Sequence, residues 1–196
     1  SSGRETIGRV AAGAVASKLL LKLGIRITAY TKAIGNIEVP ESDYDYGCIL
    51  TNPLYMPNNS YAEAAADYLD NCIHKQDSSG GMIECVIDGM PAGVGEPVFN
   101  KLDANLARAV MSIGAVKGVE IGDGFAVTCA AGSSNNDAFC ADEGHITKKT
   151  NHAGGTLGGI SDGSRIILRA AVKPTPSISQ EQETVDQEGK NTSLII

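Results

Sequence analysis

Apolar side chains recur at helical spacing at Ile7, Val10, Ala14, Val15 and Leu19, which predicts a helix running to about Lys22. Ser2 followed by Glu5 reads as a capping box at its start, and Gly24 reads as its stop. Gly8, Ala11, Ala12 and Gly13 would let another helix approach it closely. Ser60 with Glu63 predicts a second helix reaching about Lys75, and Asn100 with Asp103 a third that carries Leu102, Leu106, Ala109 and Val110. These three helices are expected to form the core. Strand patterns fall between and after them, over residues 25–34, 81–89, 117–128 and 165–173, with Ile83, Cys85 and Ile87 alternating in the second. Residues 178–196 alternate polar positions around Glu188-Gly189-Lys190, as in an exposed hairpin or a partly disordered tail. Gly-rich turns between such strands favour antiparallel pairs, hence an α+β fold rather than a doubly wound parallel sheet, with residues 1–196 as one core domain.

Composition narrows the function. The chain has six Tyr, three Phe and no Trp against 23 Gly, which argues against a stacking platform for single-stranded nucleic acid. Its net charge of -7 disfavours a DNA or RNA partner. The charge is uneven: residues 1–32 hold six bases and one acid, whereas residues 33–74 hold seven acids and neither Lys nor Arg. No apolar run approaches the ~18 residues of a membrane span. The chain opens without Met and without a signal-type segment, which predicts a start inside a longer protein. Five cysteines form no C-x-x-C pair, predicting a reduced, cytoplasmic protein, and three histidines show no zinc-ligand spacing, so no metal is expected.

Four stretches invite chemistry. Ser1, Ser2 and Arg4 open a helix, where free N–H groups, hydroxyls and a guanidinium suit a phosphate or carboxylate; a simple capping box with a solvated Arg is the reading that physics alone favours. The run 151–161 has two Gly-Gly pairs, suited to close approach of a flat ligand or simply to turns, and its His152 reads more readily as a hydrogen-bonded structural residue than as a proton carrier. Lys173 ends an apolar strand before Pro174, where it could hold a phosphate or only mark the strand end. In 117–125, Glu120 and Asp123 would fall on opposite faces of a strand, against an acid/base dyad.

Taken in order, SSGRET with IGRVAAGAVA, then GMPAGVGEPVFNKLDANLARAVMSIGAVKGVEIGDGF, then NHAGGTLGGIS and RAAVKPTPSIS, the chain resembles the chorismate synthase family along nearly its whole length. The resemblance implies helices sandwiched between antiparallel β-sheets, a homotetramer, and a carbon–oxygen lyase of the shikimate pathway. That enzyme makes chorismate from 5-enolpyruvylshikimate 3-phosphate by 1,4-anti elimination of phosphate, dependent on reduced FMN. By motif, Ser1 and Ser2 correspond to FMN-contacting serines and Arg4 to an arginine near the substrate's anionic groups. Gly114 and Ala115 correspond to a flavin-contacting pair that is often Asn-Ala, and Gly158 to a flavin-contacting Gly-Gly turn. Lys173, Pro174, Thr175, Pro176 and Ser177 correspond to the segment holding the FMN phosphate. Family members are about twice as long. Their Gly-x-x-His-Gly motif with its catalytic histidine, and their Arg-His-Asp-Pro segment, have no counterpart here, so no catalytic residue is assigned and the piece is expected to be inactive alone. A flavin- or phosphate-binding core, or an oligomerisation core without catalysis, remains the alternative.

Overall fold

A computed structural model describes residues 3–196, so Ser1 and Ser2 lie outside the described residues. The chain divides into two compact units, residues 1–29 with 83–171 and residues 30–82 with 172–196.

The first unit opens with a 3-10 turn, Gly3–Glu5, that leads into helix α1, Thr6–Lys22. Gly24, at φ +80, stops the helix, and strand β1, Arg26–Ile34, follows and passes into the second unit. That second unit continues through β2, Ile37–Glu38, helix α2, Asn59–His74, and the start of β3, Gly81–Asp88. Back in the first unit come helix α3, Leu102–Met111, and β4, Val116–Ile121. Two short strand pairs precede the long β9, Ile166–Val172: β5, Phe139–Asp142, with β6, His145–Lys148, and β7, Thr156–Leu157, with β8, Ile160–Ser161. The tail is an antiparallel hairpin of β10, Glu181–Val185, and β11, Asn191–Ile195, in register from Glu181 opposite Ile195 to Val185 opposite Asn191. Five strands are hydrogen-bonded in the order β2-β1-β3-β9-β4. The pairs β1 with β2, β5 with β6, β7 with β8 and β10 with β11 are antiparallel, so helices and antiparallel sheet coexist in an α+β fold.

Burial departs from the expectation of a three-helix core. In the first unit Ile25, Ile87, Ile166 and Leu168, all on or beside strands, form the buried cluster, and Leu102, Leu106 and Val110 of α3 with Leu20 of α1 only pack partly against it. Helix α1 has no buried residue although apolar side chains ring it instead of forming one stripe, the pattern of a helix that other polypeptide covers on several sides. The second unit has its own cluster of Val39, Met56, Ala62 and Ala65, two of them on α2.

Helix starts also differ from the capping boxes. Helix α2 is capped by Asn58, extended at φ -163, whose Oδ1 accepts from the N–H groups of Ser60 and Tyr61 at 3.0 and 3.4 Å. Helix α3 has no side-chain cap; the Leu102 N–H donates to the carbonyl of Gly159 at 2.8 Å, so a distant turn closes its first turn. The strand expected over 117–128 stops at Ile121. Gly122, at φ +58, turns the chain there, and a Cβ on it would collide with the backbone of His152 and Gly154, so only glycine fits.

The loop that carries the 151–161 run is fastened by a buried charge cluster. Lys148 Nζ lies 2.6 Å from Asp162 Oδ2, 3.5 Å from Asp137 Oδ2 and 3.3 Å from Asn151 Oδ1. Its side chain is 3% exposed, and those of Asp137 and Asp162 are 4% and 7%. Asp137 further accepts from the hydroxyl of Thr150 and the N–H groups of His152 and Ala153, at 2.7 to 2.9 Å. Burial alone would raise the Asp137 carboxyl, but those three donors and the Lys148 charge outweigh it and hold the group down at about 2.

Two outcomes follow. Ile166→Ala, at a site with 0% exposure, should cost about 2–5 kcal/mol, read as a fall in denaturation midpoint. Asp137→Asn, which strips Lys148 of one partner, should cost about 3 kcal/mol at neutral pH by denaturant titration. Because the native carboxyl lies below its ordinary 3.8, its stabilisation is complete above pH 4 and is lost as pH falls through about 2. The gap between wild type and Asp137→Asn should therefore narrow in acid, and a gap that widened there would contradict the assignment.

Candidate functional site

The start of α1 and the turn after α3 meet in the first unit. Arg9, in the second turn of α1, donates from Nη1 to Ser112 Oγ and from Nη2 to the Ser112 carbonyl, both at 3.0 Å. Ser112 is the residue that ends α3, and its hydroxyl donates in turn to the Ala109 carbonyl at 2.6 Å. Between these elements lies a cavity of about 230 Å³ lined by Gly3, Glu5, Thr6, Arg9, Ser112, Gly114 and Ala115. Ala115 turns with φ +69, a left-handed conformation unusual for a residue with a Cβ, and the chain then enters β4 at buried Val116. Of the residues singled out from sequence, Gly114 and Ala115 thus share a cavity with the α1 start, and Arg4 is exposed in the 3-10 turn Gly3–Glu5, whose other two residues line that cavity.

Gly158 occupies a different turn. It sits at φ +60 between β7 and β8, exposed, with no atom near the position a Cβ would take. Its neighbour Gly159 is buried at φ +85, where a Cβ would run into the Lys101 side chain, and its carbonyl is the one that receives the Leu102 N–H of α3. The Gly-Gly pair therefore divides its work: one glycine docks on the helix start and the other presents bare backbone outward.

The segment 173–177 belongs to the second unit. Lys173, Pro174, Thr175, Pro176 and Ser177 are all exposed immediately after β9. The Thr175 carbonyl accepts from Ser78 Oγ at 2.6 Å and the Pro176 carbonyl from Gln182 Nε2 at 3.0 Å, so the backbone is tied down. Two prolines limit its φ angles. An ammonium and two hydroxyls on a fixed, exposed strip are chemistry suited to a phosphate.

Other ionisable groups are engaged structurally. Glu120 pairs with Arg169 Nε at 3.3 Å, and Arg169 Nη1 pairs with buried Glu84 at 3.1 Å. Asp123 instead lies 2.6 Å from His152 Nδ1, while the Asp123 N–H donates to the His152 carbonyl at 2.8 Å. Glu120 and Asp123 are thus drawn to separate partners, and Asp123 lies beyond the end of β4, so the two do not sit on opposite faces of one strand as expected. Burial, with the neighbouring Glu84 charge, pushes the Cys85 thiol up to about 11. Among the described residues, no group of three His, Cys, Asp or Glu is placed to hold a metal ion. Sequence reading missed Arg9, Ser112 and the Lys148 cluster. The one signal for Arg9 was its place five residues after Arg4 in a basic amino-terminal stretch.

Comparison with known proteins agrees with the sequence resemblance. The family model described as chorismate synthase matches residues 1–196. The chain is 56% identical over 196 residues to a chorismate synthase of Agathobacter rectalis, covering 100% of this chain and 53% of that protein. It is 59% identical over 197 residues to one of Lachnoclostridium phytofermentans, covering 100% and 54%. A crystal structure of chorismate synthase superposes with a TM-score of 0.85 at 36% identity, covering 90% of this chain and 57% of that one. The chain spans about half the length of these relatives, and over the whole of its own length it belongs to the chorismate synthase family.

Proposed function

We propose that this chain is the core portion of a chorismate synthase, a lyase that eliminates phosphate from 5-enolpyruvylshikimate 3-phosphate to give chorismate by a 1,4-anti route. The observation that supports it most is the unbroken family match across 196 residues, which includes every stretch suited to anions or flat ligands. Reduced FMN is the expected cofactor, and bound there it would lend electron density to the departure of the allylic phosphate.

The residues present fit such a group in chemical kind. The cavity beside Gly114 and Ala115 offers backbone and small side chains to a ring system. Gly158 presents backbone with nothing above it, and Lys173, Thr175 and Ser177 offer one charge and two hydroxyls to a phosphate. Ser1 and Ser2 would add hydroxyls, and Arg4 would attract the substrate's anionic groups. No described side chain is assigned to proton transfer. Chemistry would then need the remainder of the protein, and the isolated chain would show no turnover.

Association is the second part of the reading. Along α1, Ile7 and Val10 are 70% exposed and Val15 72%, an apolar surface a solitary unit would not leave in water. This supports burial of α1 by further polypeptide, in keeping with a cytoplasmic homotetramer.

FMN fluorescence quenching tests the cofactor assignment. The full-length protein should bind FMN, and Lys173→Ala should weaken it roughly tenfold to a hundredfold, the range of a lost charged hydrogen bond. The same protein with reduced FMN should form chorismate, while residues 1–196 alone should form none. Turnover by the isolated chain would show that the catalytic groups lie within it after all.

A further inference from the structure

We propose that Arg9 is a positioning residue for the flavin site, holding the start of α1 against the Gly114–Ala115 turn. The proposal rests on the reading of that turn as a flavin contact.

A directed polar tie joins the near end of α1 to the last turn of α3. Leu20, near the far end of α1, packs against the first unit's cluster. At the near end the tie is Arg9. A guanidinium presents two parallel N–H donors in one plane, and both are satisfied on a single residue, Ser112, 103 positions away in sequence. One bond goes to the main-chain carbonyl, which fixes the backbone itself. The other goes to Ser112 Oγ, whose own proton is already committed to the Ala109 carbonyl, so its lone pairs are the part left to receive Arg9.

The consequence reaches two residues in each direction. On one side the fork grips the last turn of α3 just before Gly114 and Ala115, whose left-handed turn feeds directly into β4. On the other, Thr6 lies one turn back along α1 and Gly3 at the start of the preceding 3-10 turn, and both line the same cavity. The fork thus joins the two walls of that cavity directly. Lysine could make one of these bonds but has no planar pair of donors to make both.

The test uses the full-length protein and FMN itself. Arg9→Ala should raise the FMN dissociation constant about tenfold, and Arg9→Lys should recover only part of that. Ser112→Ala keeps the carbonyl acceptor and should cause a smaller loss than Arg9→Ala. Turnover lost at limiting FMN should return when FMN is raised tenfold, a recovery that a general loss of folded protein would not show. If Arg9→Ala binds FMN as wild type does while Lys173→Ala does not, the positioning role is overturned and the flavin reading stands. The same holds if Arg9→Ala lowers the melting temperature with the FMN dissociation constant unmoved. If wild type itself fails to bind FMN, the flavin reading falls and takes this inference with it.

Discussion

An ammonium whose side chain is 3% exposed can remain charged only if its partners replace water, and Lys148 meets that demand with two carboxylates and an amide oxygen. Satisfying the lysine has consequences along the following residues. Asp137 must come close, and its spare lone pairs then take the N–H groups of His152 and Ala153. Asn151, also facing the lysine, accepts from Gly155 and donates to the Arg165 carbonyl at 2.8 Å. The whole approach to the β7–β8 turn is thereby ordered by a charge that touches no part of the turn itself. Gly159 can then sit where its carbonyl meets the α3 start, and Gly158 beside it where its backbone faces outward.

The opposite condition governs α1. Its composition of Gly, Ala and scattered aliphatics gives no favoured face, and within the described residues Arg9 adds two directed hydrogen bonds near its start. A helix of this kind is consistent with packing on more than one side by other polypeptide, which the chain's half share of its relatives' length leaves room for.

Much of this was legible in advance, for identifiable reasons. Strands β1, β3 and β9 follow patterns that depend on neighbouring residues, and Gly24 ends α1 because a left-handed stop favours glycine. Helix caps were less legible, since Asn58 is as good a cap as Ser60 and nothing local reveals that Gly159 would serve α3 from 57 positions away. Arg9 with Ser112, and Lys148 with Asp137 and Asp162, are pairings made by the fold, and composition is silent on which charges meet. The motif residues at 114–115, 158 and 173–177 were named from resemblance; the described structure gives only their surroundings, a cavity wall, an open glycine position and an exposed strip.

Charge illustrates how a tally along the chain can mislead about a surface. The excess of bases in residues 1–32 is no single surface, because its members are spent in different ways. Lys32 is buried, donates to Tyr44 Oη at 2.6 Å and lies 3.6 Å from Glu38, all within the second unit. Arg9 is held on neutral oxygens of Ser112. Meanwhile the seven acids of residues 33–74 are all exposed, some of them acting locally, as Asp45 does in accepting from the Gly47 N–H at 2.8 Å. An acidic chain can therefore still serve anionic ligands, because what a phosphate meets is a few placed donors at short range, screened from distant charge over about 8–10 Å, and net charge does not determine where those donors stand.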